Sequence, residues 1–243
     1  VRLSRARLEV VAHNDVDAVR RALGGASSGQ RVLVLVESVY SVLGDAAPLV
    51  ELASVCSEAE ALLVVDEAHG LGVHGPGLVH AAGLTRQPHV VATATLSKAL
   101  GSQGGAVLGD PAIIEHLVNA ARPFIFDTGL APAAAAGALA ALEVLRSEPG
   151  LPGVVQGRGA DLAAALGVPP SVGAVLSVPM PSPQAAVAAQ AAAAAHGVRV
   201  GCFRPPSVPD GISRLRVTVS AGVPDEAWSR AVEVLVAVVK EHQ

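Results

Sequence analysis

Two apolar runs in the middle of the chain each end in reactive side chains. Ala61–Val65 runs into Asp66, Glu67, Ala68 and His69, and Val90–Ala94 runs into Thr95, Ser97 and Lys98. A lone lysine is usually a solvated surface charge. Lys98, however, sits among small residues directly after an apolar strand, where burial would lower its pKa and leave the amine usable as nucleophile and base. A carboxylate at the end of the neighbouring strand, Asp66, suits the nitrogen of a pyridine ring that must stay protonated to act as an electron sink.

The elements around these residues alternate. Arg7–Val11 reads as a short strand and Asp15–Leu23 as a helix capped by Asn14. Val32–Val36 reads as a fully buried parallel strand, followed by a helix over Pro48–Glu58 with Pro as its first residue. Strands at Ala61–Val65, Val90–Ala94 and Ala106–Leu108 and helices at Pro111–Ala121 and Pro132–Leu145 complete a first part. This order predicts an α/β fold with a mainly parallel sheet flanked by helices, whose ligands gather at the carboxyl ends of the strands.

At SEPGLPGVVQGRG the composition turns to Gly and Pro, which predicts a boundary near residues 148–158. Residues 1–148 are therefore expected to form a large domain and 149–243 a smaller C-terminal α/β domain. In the smaller part, strands are expected at Ala174–Val178, Val198–Cys202 and Leu215–Val219, with helices at Pro183–His196 and Pro224–Lys240. The Ala-rich tract AAVAAQAAAAAH reads as helix, since Ala has the highest helix propensity. Arg214 and Arg216 alternate with Leu215 and Val217 and are expected to face solvent.

Composition narrows the function. With 243 residues, 51% of them hydrophobic, the chain can bury a sizeable core. A formal net charge of −4 without a long Lys/Arg run offers no footprint for nucleic acid. Cys56 and Cys202 lack metal or disulfide spacing and read as core residues. The longest apolar run, Leu130–Leu142, is shorter than the roughly 18 residues of a membrane span and reads as a buried helix. No basic segment with a cleavage site opens the chain, so a cytoplasmic location is expected.

Three bland motif matches fall away. DEAH is also the spelling of a helicase motif, but the phosphate loop ending Gly-Lys-Ser/Thr that it requires is absent. Gly70, Gly72 and Gly75 fit G-x-G-x-x-G, yet no acid lies between Glu67 and Asp110 to bind a ribose, so a flexible turn accounts for them. His69, His74 and His80 are spaced five and six apart with Gly and Pro between, which is not a metal pattern.

The segments ESVYSVLGDAAPL, DEAHGLGVHGPG, TATLSKALGSQGG, RPFIFDTGLAP and FRPPSVPDGISRLRVTVSA follow one another across most of the chain. In content and order they resemble the α-oxoamine synthases, pyridoxal-phosphate enzymes of fold type I. The resemblance implies that Lys98 forms a Schiff base with pyridoxal 5'-phosphate and later takes the Cα proton of a bound amino acid. It implies that Asp66 pairs with the pyridine nitrogen, that His69 and Ser41 hydrogen-bond around the ring hydroxyl, and that Thr95 contacts the phosphate. Thr128 would reach the phosphate of a partner subunit in a homodimer, and Arg204 would hold the substrate carboxylate, which suits a bidentate guanidinium. No metal is implied.

The member it looks most like condenses L-alanine with a pimeloyl thioester (pimeloyl-CoA), releasing CoA and carbon dioxide, in biotin synthesis. Glycine C-acetyltransferase and 5-aminolevulinate synthase share every motif quoted. Two departures stand out: Gly77-Leu78-Val79 occupies the place of an Arg-Gly common in the family, and Val1 opens on what reads as the middle of a fold. The family's preceding segment carries a residue that stacks on the cofactor ring. A non-catalytic partner subunit is therefore the alternative to an enzyme, and the set Asp66, His69, Lys98 and Arg204 favours the enzyme.

Overall fold

The computed structural model describes residues 4–27, 29–208 and 210–243. It divides into two compact units, the first comprising Val1–Ser38, Ala47–Leu71 and Pro76–Leu142, the second Val39–Ala46, Gly72–Gly75 and Glu143–Gln243. A mainly parallel sheet with flanking helices is observed in the first unit and an antiparallel sheet with helices in the second.

In the first unit, β1 (Leu33–Glu37), β2 (Leu62–Asp66) and β3 (Val90–Thr95) run parallel, and β4 (Gly105–Leu108) returns antiparallel to β3, in the order β1-β2-β3-β4. The inner strand β2 carries the core: Leu63 and Val65 are fully buried, and helix α2 (Leu49–Glu58) packs on β2 and buries Leu52, Val55 and Cys56. The expectation of a fully buried Val32–Val36 is corrected. Among the described residues β1 has a hydrogen-bonded neighbour on one side only, and the sheet face that carries Leu33 and Leu35 leaves each of them 52% exposed.

Helix α1 (Val16–Gly24) is capped by Asp15, whose carboxylate accepts the Ala18 N–H at 2.8 Å, and not by Asn14, which takes a left-handed conformation at φ +55°. Residues 7–11 form no strand. Further on come α3 (Leu78–Ala81), α4 (Pro111–Ala120), α5 (Arg122–Ile125) and α6 (Pro132–Ser147). The expected burial of Leu130–Leu142 is also corrected, since Ala138 alone is buried in α6 and Leu139 is 60% exposed. An all-apolar run has no polar face to turn outward, so burial depends on neighbours that the run itself does not specify.

In the second unit, β5 (Val175–Pro179), β6 (Gly201–Phe203) and β7 (Arg214–Thr218) form an antiparallel sheet in the order β5-β7-β6. Helices α7 (Leu151–Leu166), α8 (Pro183–Ala195) and α9 (Asp225–His242) pack with it around Leu162, Leu176, Val178, Leu215 and Leu235. Within the Gly- and Pro-rich stretch, residues 148–150 link α6 to α7, and the remainder forms the first half of α7. Pro152 lies in its first turn, where no N–H is needed, and Gly167 closes it in a left-handed conformation. Arg158 on α7 is buried, donating to the Ser220 carbonyl at 2.7 Å and pairing with Asp225 while lying over the Trp228 ring.

Arg214 does not face solvent. It is 1% exposed and clasps Asp210 through two hydrogen bonds, Nη1 to Oδ1 at 3.1 Å and Nη2 to Oδ2 at 2.5 Å. Arg216, half-buried, donates from Nε to the Ser41 carbonyl at 2.8 Å and lies over the Phe203 ring. The period-2 pattern assumes one wet face, whereas β7 is the middle strand and both of its faces are engaged. Among the described residues no helix is long and apolar enough to cross a membrane.

Burial pushes the Cys56 thiol up to about 11, so it carries almost no thiolate near neutrality. Iodoacetamide at pH 8 should therefore label the native protein at the half-buried Cys202 and reach Cys56 only after unfolding, as peptide mapping would record.

The Arg214 hydrogen bond holds the Asp210 carboxyl below its ordinary value of 3.8, against an opposing push from burial. A carboxyl whose pKa falls on folding contributes stability above its unfolded pKa and loses it as pH drops through the lower folded value. Asp210→Asn, which strands the buried guanidinium, should cost about 3 kcal/mol at pH 7, the low end for a buried pair because Asp210 is one-third exposed. Urea denaturation should show that difference beginning to shrink as pH falls past 3.8 and closing only once pH has dropped through the lower folded value, where the wild-type carboxyl is protonated as well.

Candidate active site

Asp66 is the last residue of β2, opposite Glu37 of β1 and Thr93 of β3. The three strands run parallel, so Asp66 and the residues that follow Thr93 emerge at the same edge of the sheet. Thr95 ends β3, and the link to β4 is a tight turn. Its backbone is closed by Leu96 N–H to the Gly104 carbonyl at 3.0 Å, Ser102 N–H to Leu96 at 2.8 Å and Gly101 N–H to Lys98 at 3.0 Å. Gly101 and Gly104 supply the left-handed conformations the turn needs, at φ +56° and +108°. The Thr95 and Ser97 hydroxyls share a hydrogen bond of 2.7 Å, and the Ser97 N–H donates to Thr95 Oγ1 at 3.3 Å.

Lys98 is exposed on this turn, which corrects the expectation of a buried amine. It lies beyond the last ladder pair, Thr95 with Gly105, where among the described residues no neighbouring strand pairs with it. The Asp66 side chain is likewise exposed, and its Oδ1 accepts the Ala68 N–H at 2.9 Å. His69 follows, half-buried, in the same turn. Amine, carboxylate, imidazole and paired hydroxyls thus arise from two adjacent strand ends. This donor set fits a phosphorylated pyridine aldehyde: an acid for the ring nitrogen, an amine for the carbonyl and hydroxyls for phosphate.

Glu67 is the residue the sequence pattern did not single out. It is 4% exposed, accepts the Ser38 hydroxyl at 2.7 Å through Oε2 and the Val79 N–H at 2.6 Å through Oε1. The glycines around it are there for space rather than for flexibility alone. A Cβ at Gly70 would lie 2.0 Å from Glu67 Oε2 and 2.5 Å from Ser38 Oγ, and one at Gly77 would lie 2.7 Å from Glu67 Cδ. The spacing of those two glycines about a DEAH carboxylate was the available signal.

The remaining expected residues fall in two places. Thr128 belongs to the first unit and is exposed, its N–H bonded to Asp127 Oδ1 at 2.9 Å. Ser41 and Arg204 belong to the second unit. Ser41 is half-buried and joined to β7 by Arg216, while Arg204 is exposed just after β6. Arg216, expected at the surface, is therefore the basic residue in direct contact with a predicted site residue.

Residues 1–235 match the family model of aminotransferase class I and II, and the chain belongs to that family. Its fold is that of the pyridoxal-phosphate-dependent transferases. Among curated proteins it is 55% identical to an 8-amino-7-oxononanoate synthase of Mycolicibacterium smegmatis over 96% of this chain and 62% of that protein. It is 56% identical to the protein of the same name from Mycolicibacterium paratuberculosis, again over 96% of this chain and 62% of the relative. The chain thus spans about three-fifths of the length of the curated relatives it matches. Of solved structures, serine palmitoyltransferase of Sphingomonas wittichii superposes with a TM-score of 0.87 at 28% identity, over 95% of this chain and 60% of that one. The 8-amino-7-oxononanoate synthase of Francisella tularensis superposes at 0.80 with 23% identity, over 99% and 71%, a likeness of fold.

Proposed function

We propose that this chain carries the catalytic lysine of an 8-amino-7-oxononanoate synthase, a pyridoxal-phosphate-dependent acyltransferase that condenses L-alanine with pimeloyl-CoA to 8-amino-7-oxononanoate, CoA and carbon dioxide. The observation that carries the reading is the pair Asp66 and Lys98 at adjacent parallel strand ends, supported by the names of relatives at 55% identity. Residues 1–148 form the cofactor-binding part and 149–243 the small domain of a cytosolic homodimer in biotin synthesis.

When bound, pyridoxal phosphate supplies the electron sink for charge that develops at the amino-acid Cα. The chain does the rest. The Asp66 carboxylate holds a proton at the ring nitrogen, and His69 and Ser41 orient the ring through its hydroxyl. The hydroxyl of Thr95 binds phosphate, and that of Thr128 reaches across to the partner subunit's cofactor. The Lys98 amine would hold the cofactor at its aldehyde carbon and would accept the proton from the amino-acid Cα. Arg204 holds the α-carboxylate until it leaves as carbon dioxide.

The likeness to serine palmitoyltransferase favours a second reading, in which another amino acid and a longer acyl chain are joined by the same residues. Steady-state assays of the full-length protein with L-alanine and pimeloyl-CoA against L-serine and palmitoyl-CoA decide between them, and the first pair is expected to give the higher kcat/KM.

Borohydride reduction of the loaded protein should fix the cofactor to the peptide containing Lys98. Label on another lysine, or no label at all, would end the proposal. Arg204→Ala should weaken L-alanine binding by about 1.5 to 3 kcal/mol, the worth of a hydrogen bond to a charged group, with cofactor affinity little changed. Spectral titration with L-alanine checks it, and an unchanged alanine affinity would return Arg204 to the solvent.

A further inference from the structure

We propose that Glu67 is the positioning residue of this site: its buried carboxylate clamps the turn from Asp66 to Gly70, so that Asp66 and His69 present to the cofactor ring. The inference rests on the pyridoxal-phosphate reading above and adds a residue to it.

Every polar group of Glu67 is engaged in holding that turn. Its N–H donates to the Thr93 carbonyl at 2.7 Å, extending the β2–β3 ladder one residue past Asp66. Its carbonyl accepts Gly70 N–H at 3.0 Å and Leu71 N–H at 2.9 Å, which closes the backbone around His69. Its carboxylate then ties the turn to Ser38, just after β1, and to Val79 in α3. Successive side chains alternate along a strand, so seating Glu67 in the interior obliges Asp66 to face outward.

A carboxylate buried without a cation is costly, and among the described residues no ion pair involves Glu67. An apolar side chain would fill the same space at less cost, but it could not accept from two segments at once. Gly70 and Gly77 keep the room that the carboxylate occupies, so the loop is built around this group. Residues that orient a group in contact with a cofactor commonly change affinity by about tenfold or more when removed, as metal-site outer shells do.

The test uses the full-length protein and four variants. Glu67→Ala removes the clamp, Glu67→Gln keeps its shape and an acceptor, and Ser38→Ala removes one donor. Val178→Ala thins the core of the second unit and serves as a stability control. Glu67→Ala should raise the Kd for pyridoxal phosphate about tenfold or more and shift the pH midpoint of the bound cofactor's visible band. Its kcat should fall with little change in the KM for L-alanine. Glu67→Gln should return the Kd to within about threefold of wild type, and Ser38→Ala should move band and Kd in the direction of Glu67→Ala.

Val178→Ala should lower Tm and leave cofactor affinity and spectrum alone. A Kd for Glu67→Ala within about twofold of wild type, or an equal rise in Val178→Ala, overturns the inference. Should Glu67→Ala fail to fold, Ser38→Ala decides, and an unmoved band and Kd overturn it. A wild-type protein that takes up no cofactor would remove the underlying reading as well, an outcome distinct from a loss confined to the variants.

Discussion

Parallel strands share a direction, and the chemistry of the first unit depends on that constraint. With β2 held in register between β1 and β3, Asp66 lies across from Thr93, and the turn bearing Lys98 begins three residues later, at the end of the neighbouring strand. No long-range fold of the loops is needed to bring carboxylate and amine to one edge. The hydrogen-bonded ladders do it, and the burial of Leu63 and Val65 under α2 holds the ladders in place. Slipping β3 by one residue would send Thr93 and Thr95 to the opposite face and break the arrangement.

The two strand ends finish differently because they carry different loads. The β3–β4 turn is closed by backbone hydrogen bonds and two left-handed glycines, which leaves the Lys98 side chain outside the ladder. The turn after β2 is closed from inside, by a buried acid between two glycines that have room for nothing larger. The first arrangement leaves a side chain free to move, whereas the second fixes the backbone that carries Asp66 and His69.

The second unit handles charge by a different rule. Arg158, Arg214 and Arg216 all have carboxylate, carbonyl or aromatic partners, and Arg214 has its carboxylate four residues away. Local pairing of this kind engages both terminal nitrogens of the buried Arg214 guanidinium without a long-range search, since its planar fork matches a carboxylate bidentately, while its buried Nε has no hydrogen-bond partner. Here β7 is the middle strand, so basic residues on it are drawn inward with the apolar ones.

Much of this was determined by the sequence alone. The apolar runs at 61–65 and 90–94, the turn residues and the motifs DEAH and TLSK were enough to place the strands and the family, because local pattern and short spacing carry that information. Which side of an element meets neighbours was decided only by the tertiary structure. Val32–Val36 was legible as a strand but not as an edge, and Leu130–Leu142 as a helix but not as an exposed one, since burial depends on segments distant in the chain. For the same reason Arg214 and Arg216 were misplaced and Glu67 overlooked. An alternating pattern cannot tell that a strand is central, and an acid beside Asp66 shows no purpose until Ser38, Gly70, Gly77 and Val79 are folded around it.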